Sequence, residues 1–77
     1  MQRLDPFPYR IEVMYSQDDG CYIARVPTLR GCSAHGASPE EAAAQVRIAA
    51  VAVIEVMESH GDPVPAADWL SRRYSAP

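Results

Sequence analysis

The sequence predicts an α+β fold: a three-stranded antiparallel meander, one long helix packed on one face, and a short C-terminal segment. Three observations carry this. Residues 9–15 alternate apolar and polar side chains, the period-two signature of a half-buried strand. Two turn signals, Asp19-Gly20 and Leu29-Arg30-Gly31, set off two further short β-favouring runs. Ser38-Pro39-Glu40-Glu41 then opens an apolar-periodic stretch that lasts to His60.

The elements follow in order. Pro6-Phe7-Pro8 ends a loose N-terminal arm, and strand one covers residues 9–15. Gln17-Asp18-Asp19-Gly20 is the hairpin turn. Strand two, residues 22–26, is stopped by Pro27, which cannot donate to a ladder. Strand three is residues 32–35, ended by Gly36. Folding about the first turn sets Tyr15 opposite Tyr22, Val13 opposite Ala24, Glu12 opposite Arg25 and Ile11 opposite Val26. Ala34 then lies beside Ala24, and Cys32 beside Val26. One face therefore holds Tyr9, Ile11, Val13, Tyr15, Tyr22, Ala24, Val26, Cys32 and Ala34, and is expected to be the core. The other holds Arg10, Glu12, Met14, Ile23, Arg25, Ser33 and His35. There Glu12 and Arg25 form a cross-strand pair of about 0.2–1 kcal/mol, and Met14, Ile23 and His35 make a small mixed patch.

Ser38 is the expected N-cap, Pro39 the first helical residue and Glu41 the far side of a capping box. Gly61 and Pro63 stop the helix after His60. At about 3.6 residues per turn, Ala42, Val46, Ala49, Val53, Val56, Met57 and His60 form the stripe expected on the sheet. Arg47, Val51, Ile54 and Glu58 form a second stripe, with Ile48 nearby. Apolar residues amid charges there mark an expected self-association surface. Asp62-Pro63-Val64-Pro65 reads as an extended linker, and residues 66–74 as a short helix or a docked strand anchored by Trp69.

Composition narrows the function. Seventy-seven residues allow a single domain, with its core over about 9–61 and a linker and short segment over 62–77. A chain this small buries only about 60–65% of its unfolded surface, so a homo-oligomer is expected. The net charge is −3, with seven arginines and no lysine, so no basic stripe is available for direct nucleic-acid binding. Neither a signal peptide nor a membrane span is legible, and a cytoplasmic protein is expected. Cys21 and Cys32 would lie about five residues apart along the sheet, roughly 17 Å, too far for a bridge. They and the two histidines lack zinc spacing, so neither a metal nor any other cofactor is expected. No serine, cysteine or carboxylate stands where it would make a catalytic group of His35 or His60. Tyr9, Tyr15 and Tyr22 imitate a base-stacking platform, but core packing accounts for them better. The chain does not read as an enzyme.

The order Gly-x-Tyr-x-Ala-x-Val-Pro-x-Leu-x-Gly-Cys-x-x-x-Gly-x-Ser-x-Glu-Glu-Ala over residues 20–42 resembles the N-terminal domain of the HicB-like antitoxin family, with looser similarity over about residues 9–65. The resemblance implies a partial ribonuclease-H-like fold. It also implies a partner, a small basic HicA-like toxin that cleaves RNA and whose active site the antitoxin occludes. Metal-binding acids of a ribonuclease H site are not expected here, because Glu12 faces outward beside Arg25 while Asp18-Asp19 and Glu40-Glu41 serve a turn and a cap. The expected partner-binding residues are Glu12, Asp18, Asp19, Arg25 and His35. Family members usually add a C-terminal DNA-binding domain, for which residues 66–77 are too short, so no DNA-binding domain and no operator binding are expected. The competing reading is a stand-alone oligomeric scaffold domain with no toxin.

Overall fold

A computed structural model describes residue 4 and residues 6–68 of the chain. The element order is β1 (Glu12–Ser16), β2 (Cys21–Arg25), β3 (Ser33–Gly36) and α1 (Pro39–Ser59). The strands form one antiparallel sheet in the order β1-β2-β3, so the expected meander-plus-helix fold is what the chain adopts.

Turn chemistry sets the register. Gly20 takes a φ of +66°, and its N–H donates to the Ser16 carbonyl at 2.8 Å, closing the first hairpin. Glu12 then pairs with Arg25, Val13 with Ala24, Met14 with Ile23 and Tyr15 with Tyr22. In the second hairpin Ala24 pairs with Ala34 and Ile23 with His35. The connecting turn is held by bonds from Leu29 N–H to the Val26 carbonyl and from Cys32 N–H to the Leu29 carbonyl. β1 starts at Glu12 rather than at Tyr9 for a local reason. Extending the register brings Arg10 opposite Pro27, which has no N–H to give. Arg10 N–H donates instead to the Asp68 carboxylate at 2.7 Å.

The helix starts where its cap dictates. Ser38 Oγ accepts from Glu41 N–H at 3.1 Å, and the Glu41 carboxylate reaches back to Ala37 N–H. The helix ends in a Schellman motif: Gly61 adopts φ +73°, with Gly61 N–H donating to Glu58 O and Asp62 N–H to Met57 O. Gly36 lets the helix start close to the sheet, because a Cβ there would come within 2.4 Å of Ala42 N.

The core joins Tyr9, Ala24, Val26, Leu29 and Cys32 to Ala42, Val46, Ala50 and Ile54 of α1. The helix is thus rotated from the orientation expected of it. Its buried row advances by four residues, and Ile54 is 1% exposed while Val56 is 55% exposed. The Arg47–Val51–Ile54–Glu58 stripe is therefore not the free self-association surface expected above. Ile54 belongs to the core, Val51 is half-buried, and Arg47 holds its guanidinium 5.8 Å over the Phe7 ring. The N-terminal arm adds to this packing: Leu4 and Phe7 pack against the core, and Phe7 meets Tyr9 edge to face at 5.9 Å.

A second correction concerns the sheet. Val13 and Tyr15 lie on the helix side but are 39% and 55% exposed. α1 lies across β3 and β2 and barely reaches β1, so among the described residues the inner face of β1 is poorly covered. Tyr15 packs sideways, edge to face on Tyr22 at 5.1 Å.

Residues 65–68 dock beside the N-terminal arm. Tyr9 OH donates to the Pro65 carbonyl at 2.7 Å, and Asp68 N–H to the Pro8 carbonyl at 2.8 Å. The Asp68 carboxylate also accepts from the Thr28 hydroxyl at 2.9 Å. The Trp69 anchor expected from the sequence lies outside the described residues.

Candidate functional site: the open sheet face

With α1 on one side only, the opposite face of the sheet meets solvent. Strand alternation sends Glu12 and Met14 of β1, Ile23 and Arg25 of β2, and Ser33 and His35 of β3 to that face. Two rows cross it. One is Met14–Ile23–His35, where Met14 is 52% exposed, Ile23 half-buried between its neighbours and His35 exposed. The other is Glu12–Arg25–Ser33.

Glu12 is the electrostatic centre of the face. Its Oε1 accepts from Arg25 Nε at 3.1 Å and lies 3.1 Å from the terminal guanidinium nitrogen, while its Oε2 lies 3.1 Å from Arg10. These side chains remain about one-third to two-thirds exposed. Such exposed pairs add little stability, but one carboxylate held between two guanidiniums gives the face a fixed charge pattern. Asp18 and Asp19 are exposed in the hairpin turn at one end of the sheet. Asp19 has a structural duty there, because its carboxylate accepts from Ser16 Oγ at 3.1 Å. Of the residues expected to bind a partner, Glu12, Arg25 and His35 therefore share one face, with Asp18 and Asp19 at its end.

Arg10 was not among the expected site residues. The available signal was its position two residues before Glu12 on the same side of strand one. Beside Arg25 lies an open hollow of about 430 Å³ lined by Arg25, Val26, Leu29, Arg30, Cys32 and Ser33.

Among the described residues no three His, Cys, Asp or Glu side chains stand together as metal ligands. Cys32 is buried, its thiol directed at the Val46 carbonyl, and burial raises its pKa, which is the wrong direction for a nucleophile. No helix among the described residues is long and apolar enough to cross a membrane.

Fold and face together define a small α+β domain that covers one side of its sheet and offers the other as a patterned, solvent-facing surface. In comparisons with known proteins, the chain is 32% identical over 53 residues to UPF0150 protein Ta0767 of Thermoplasma acidophilum, a match spanning 69% of this chain and 77% of that protein. The chain belongs to the UPF0150 family. No family model matches it, and no solved structure matches it.

Proposed function

We propose that this chain is a HicB-like antitoxin domain that binds a small, basic, RNA-cleaving toxin and occludes its active site. The role is binding, not catalysis. The carrying observation is the open sheet face: an apolar centre at Met14 and Ile23, framed by a fixed Arg10–Glu12–Arg25 charge pattern and by His35. Family membership and the resemblance over residues 20–42 support the reading. So does the net charge of −3, which favours approach to a basic surface.

Co-expression with a small basic protein from the adjacent reading frame tests it. The expected result is restored growth, a co-purifying complex and suppressed RNA cleavage, with His35→Arg or Ile23→Arg weakening the complex at least about tenfold. Failure of the two proteins to associate refutes the antitoxin reading. The alternative, a scaffold domain without a toxin, is favoured by the poorly covered inner face of β1, where Val13 and Tyr15 are exposed.

A further inference from the structure

We propose that the free edge of β1 is a seam between two copies of this chain, paired antiparallel about a two-fold axis at Met14 to form one six-stranded sheet. This is independent of whether a toxin is bound.

The backbone supplies the first argument. In an antiparallel sheet the N–H and C=O of one residue face the same neighbouring strand, and the direction alternates along the chain. Val26 N–H donates to the Cys32 carbonyl at 3.0 Å, in line with the β2–β3 register. Residues 22, 24 and 26 therefore bond toward β3, and residues 21, 23 and 25 toward β1. Their partners Glu12, Met14 and Ser16 use their backbone groups inward. Val13 and Tyr15 must then hold their N–H and C=O groups outward from the edge. Among the described residues, no turn, loop or cap bond reaches them.

Exposure supplies the second. Val13, Met14 and Tyr15 are consecutive, apolar and 39%, 52% and 55% exposed. Natural edge strands are normally guarded by lysine, proline, a bulge or a covering element. β1 carries no lysine and no proline, pairs with β2 without a bulge, and is only marginally touched by α1.

Charge selects a second copy, and a register. The outward groups of Val13 and Tyr15 permit three antiparallel self-pairings. Centring the pairing on Val13 puts Arg10 opposite Ser16, and centring it on Tyr15 puts Glu12 opposite Asp18, a like-charge contact. Only the Met14-centred pairing brings the Arg10 end of one strand beside the turn that carries Asp18 of the second copy, twice, as an isologous contact requires. It also makes Val13 opposite Tyr15 a hydrogen-bonded pair. Because the axis is perpendicular to the sheet, both helices lie on the same side. Val13 and Tyr15 of each copy then fill the trough between them.

Sedimentation across a concentration series should show a dimer, and Met14→Lys, which sets two ammonium groups on each other at the axis, should weaken it at least about tenfold. Charge reversal reads the register: Arg10→Asp should weaken the dimer and Arg10→Asp with Asp18→Arg should restore it. A third readout does not depend on how well those variants fold. Across the axis, Met14→Cys in a Cys21→Ser background sets two thiols at a non-hydrogen-bonded pair, with Cα atoms about 4.5 Å apart, within disulfide reach. Oxidation should give a covalent dimer, whereas Ile48→Cys, exposed on α1, should not. A wild-type monomer at every concentration, or a dimer that ignores Met14→Lys and does not cross-link at position 14, overturns the seam.

Discussion

Gly36 and Ser38, two residues apart, fix how the helix leaves the sheet, and they do so by different physics. Gly36 does not adopt a positive φ; its requirement is space, because a Cβ would collide with the Ala42 backbone nitrogen. Backbone cannot rotate aside as a side chain can. Gly36→Ala should therefore cost upwards of about 3 kcal/mol, visible as loss of most of the folded signal on mild heating. Ser38→Ala removes one acceptor and should cost about 1 kcal/mol; an unchanged melting curve would mean the cap is idle. Titration gives a third expectation. Burial raises the pKa of Cys32 above its ordinary 9.0; burial, with the Asp68 charge second, raises that of Tyr9 above 10.0. Each group holds its proton in the folded chain at a pH where the unfolded chain has released it, so stability is full below about pH 9 and falls as pH rises. The loss of stability should begin near pH 9, and Cys32→Ala should remove that first part while leaving the part due to Tyr9, which begins near pH 10. A stability curve flat to pH 11 in the wild type would contradict this.

At the scale of elements, strands and helix were legible to different degrees. Register was readable because Asp19-Gly20 and Pro27 fix the hairpin at both ends, leaving one alignment of the alternating residues. The Glu12–Arg25 pair on the open face followed directly. Rotation of α1 was less constrained. Val46, Ala49, Val53 and Met57 suit two adjacent arcs, and the choice between adding Val56 and adding Ile54 is not written in periodicity. Tertiary contacts outside the periodic pattern enter there, among them Phe7 of the arm beneath the Arg47 guanidinium. The shortfall at β1 had a similar origin, because which strands a helix crosses depends on its angle to the sheet. Ile54→Ala should cost about 2–5 kcal/mol and Val56→Ala no more than about 0.5 kcal/mol. Chemical denaturation of the two variants measures the difference, and equal costs would restore the orientation expected from the sequence.

At the scale of the whole molecule, the sheet and helix are built from neighbours in sequence, whereas the tie at residues 65–68 closes the chain upon itself. Arg10 and Asp68 are 58 positions apart, and Tyr9 and Pro65 are 56 apart. A loop that long costs more entropy to close than either hairpin, which makes the tie a late event in folding. Its contribution should therefore appear in one direction of the kinetics only. Asp68→Ala should lower stability by about 1–2 kcal/mol, raising the unfolding rate and leaving the refolding rate unchanged. A chevron plot in which only the unfolding limb moves is the expected record, and slowed refolding would place the tie in the nucleus instead. During synthesis, the meander and helix of a nascent chain can form before Asp68 leaves the ribosome. Resistance to unfolding then arrives as a separate, later step, when that carboxylate reaches Arg10 and Thr28.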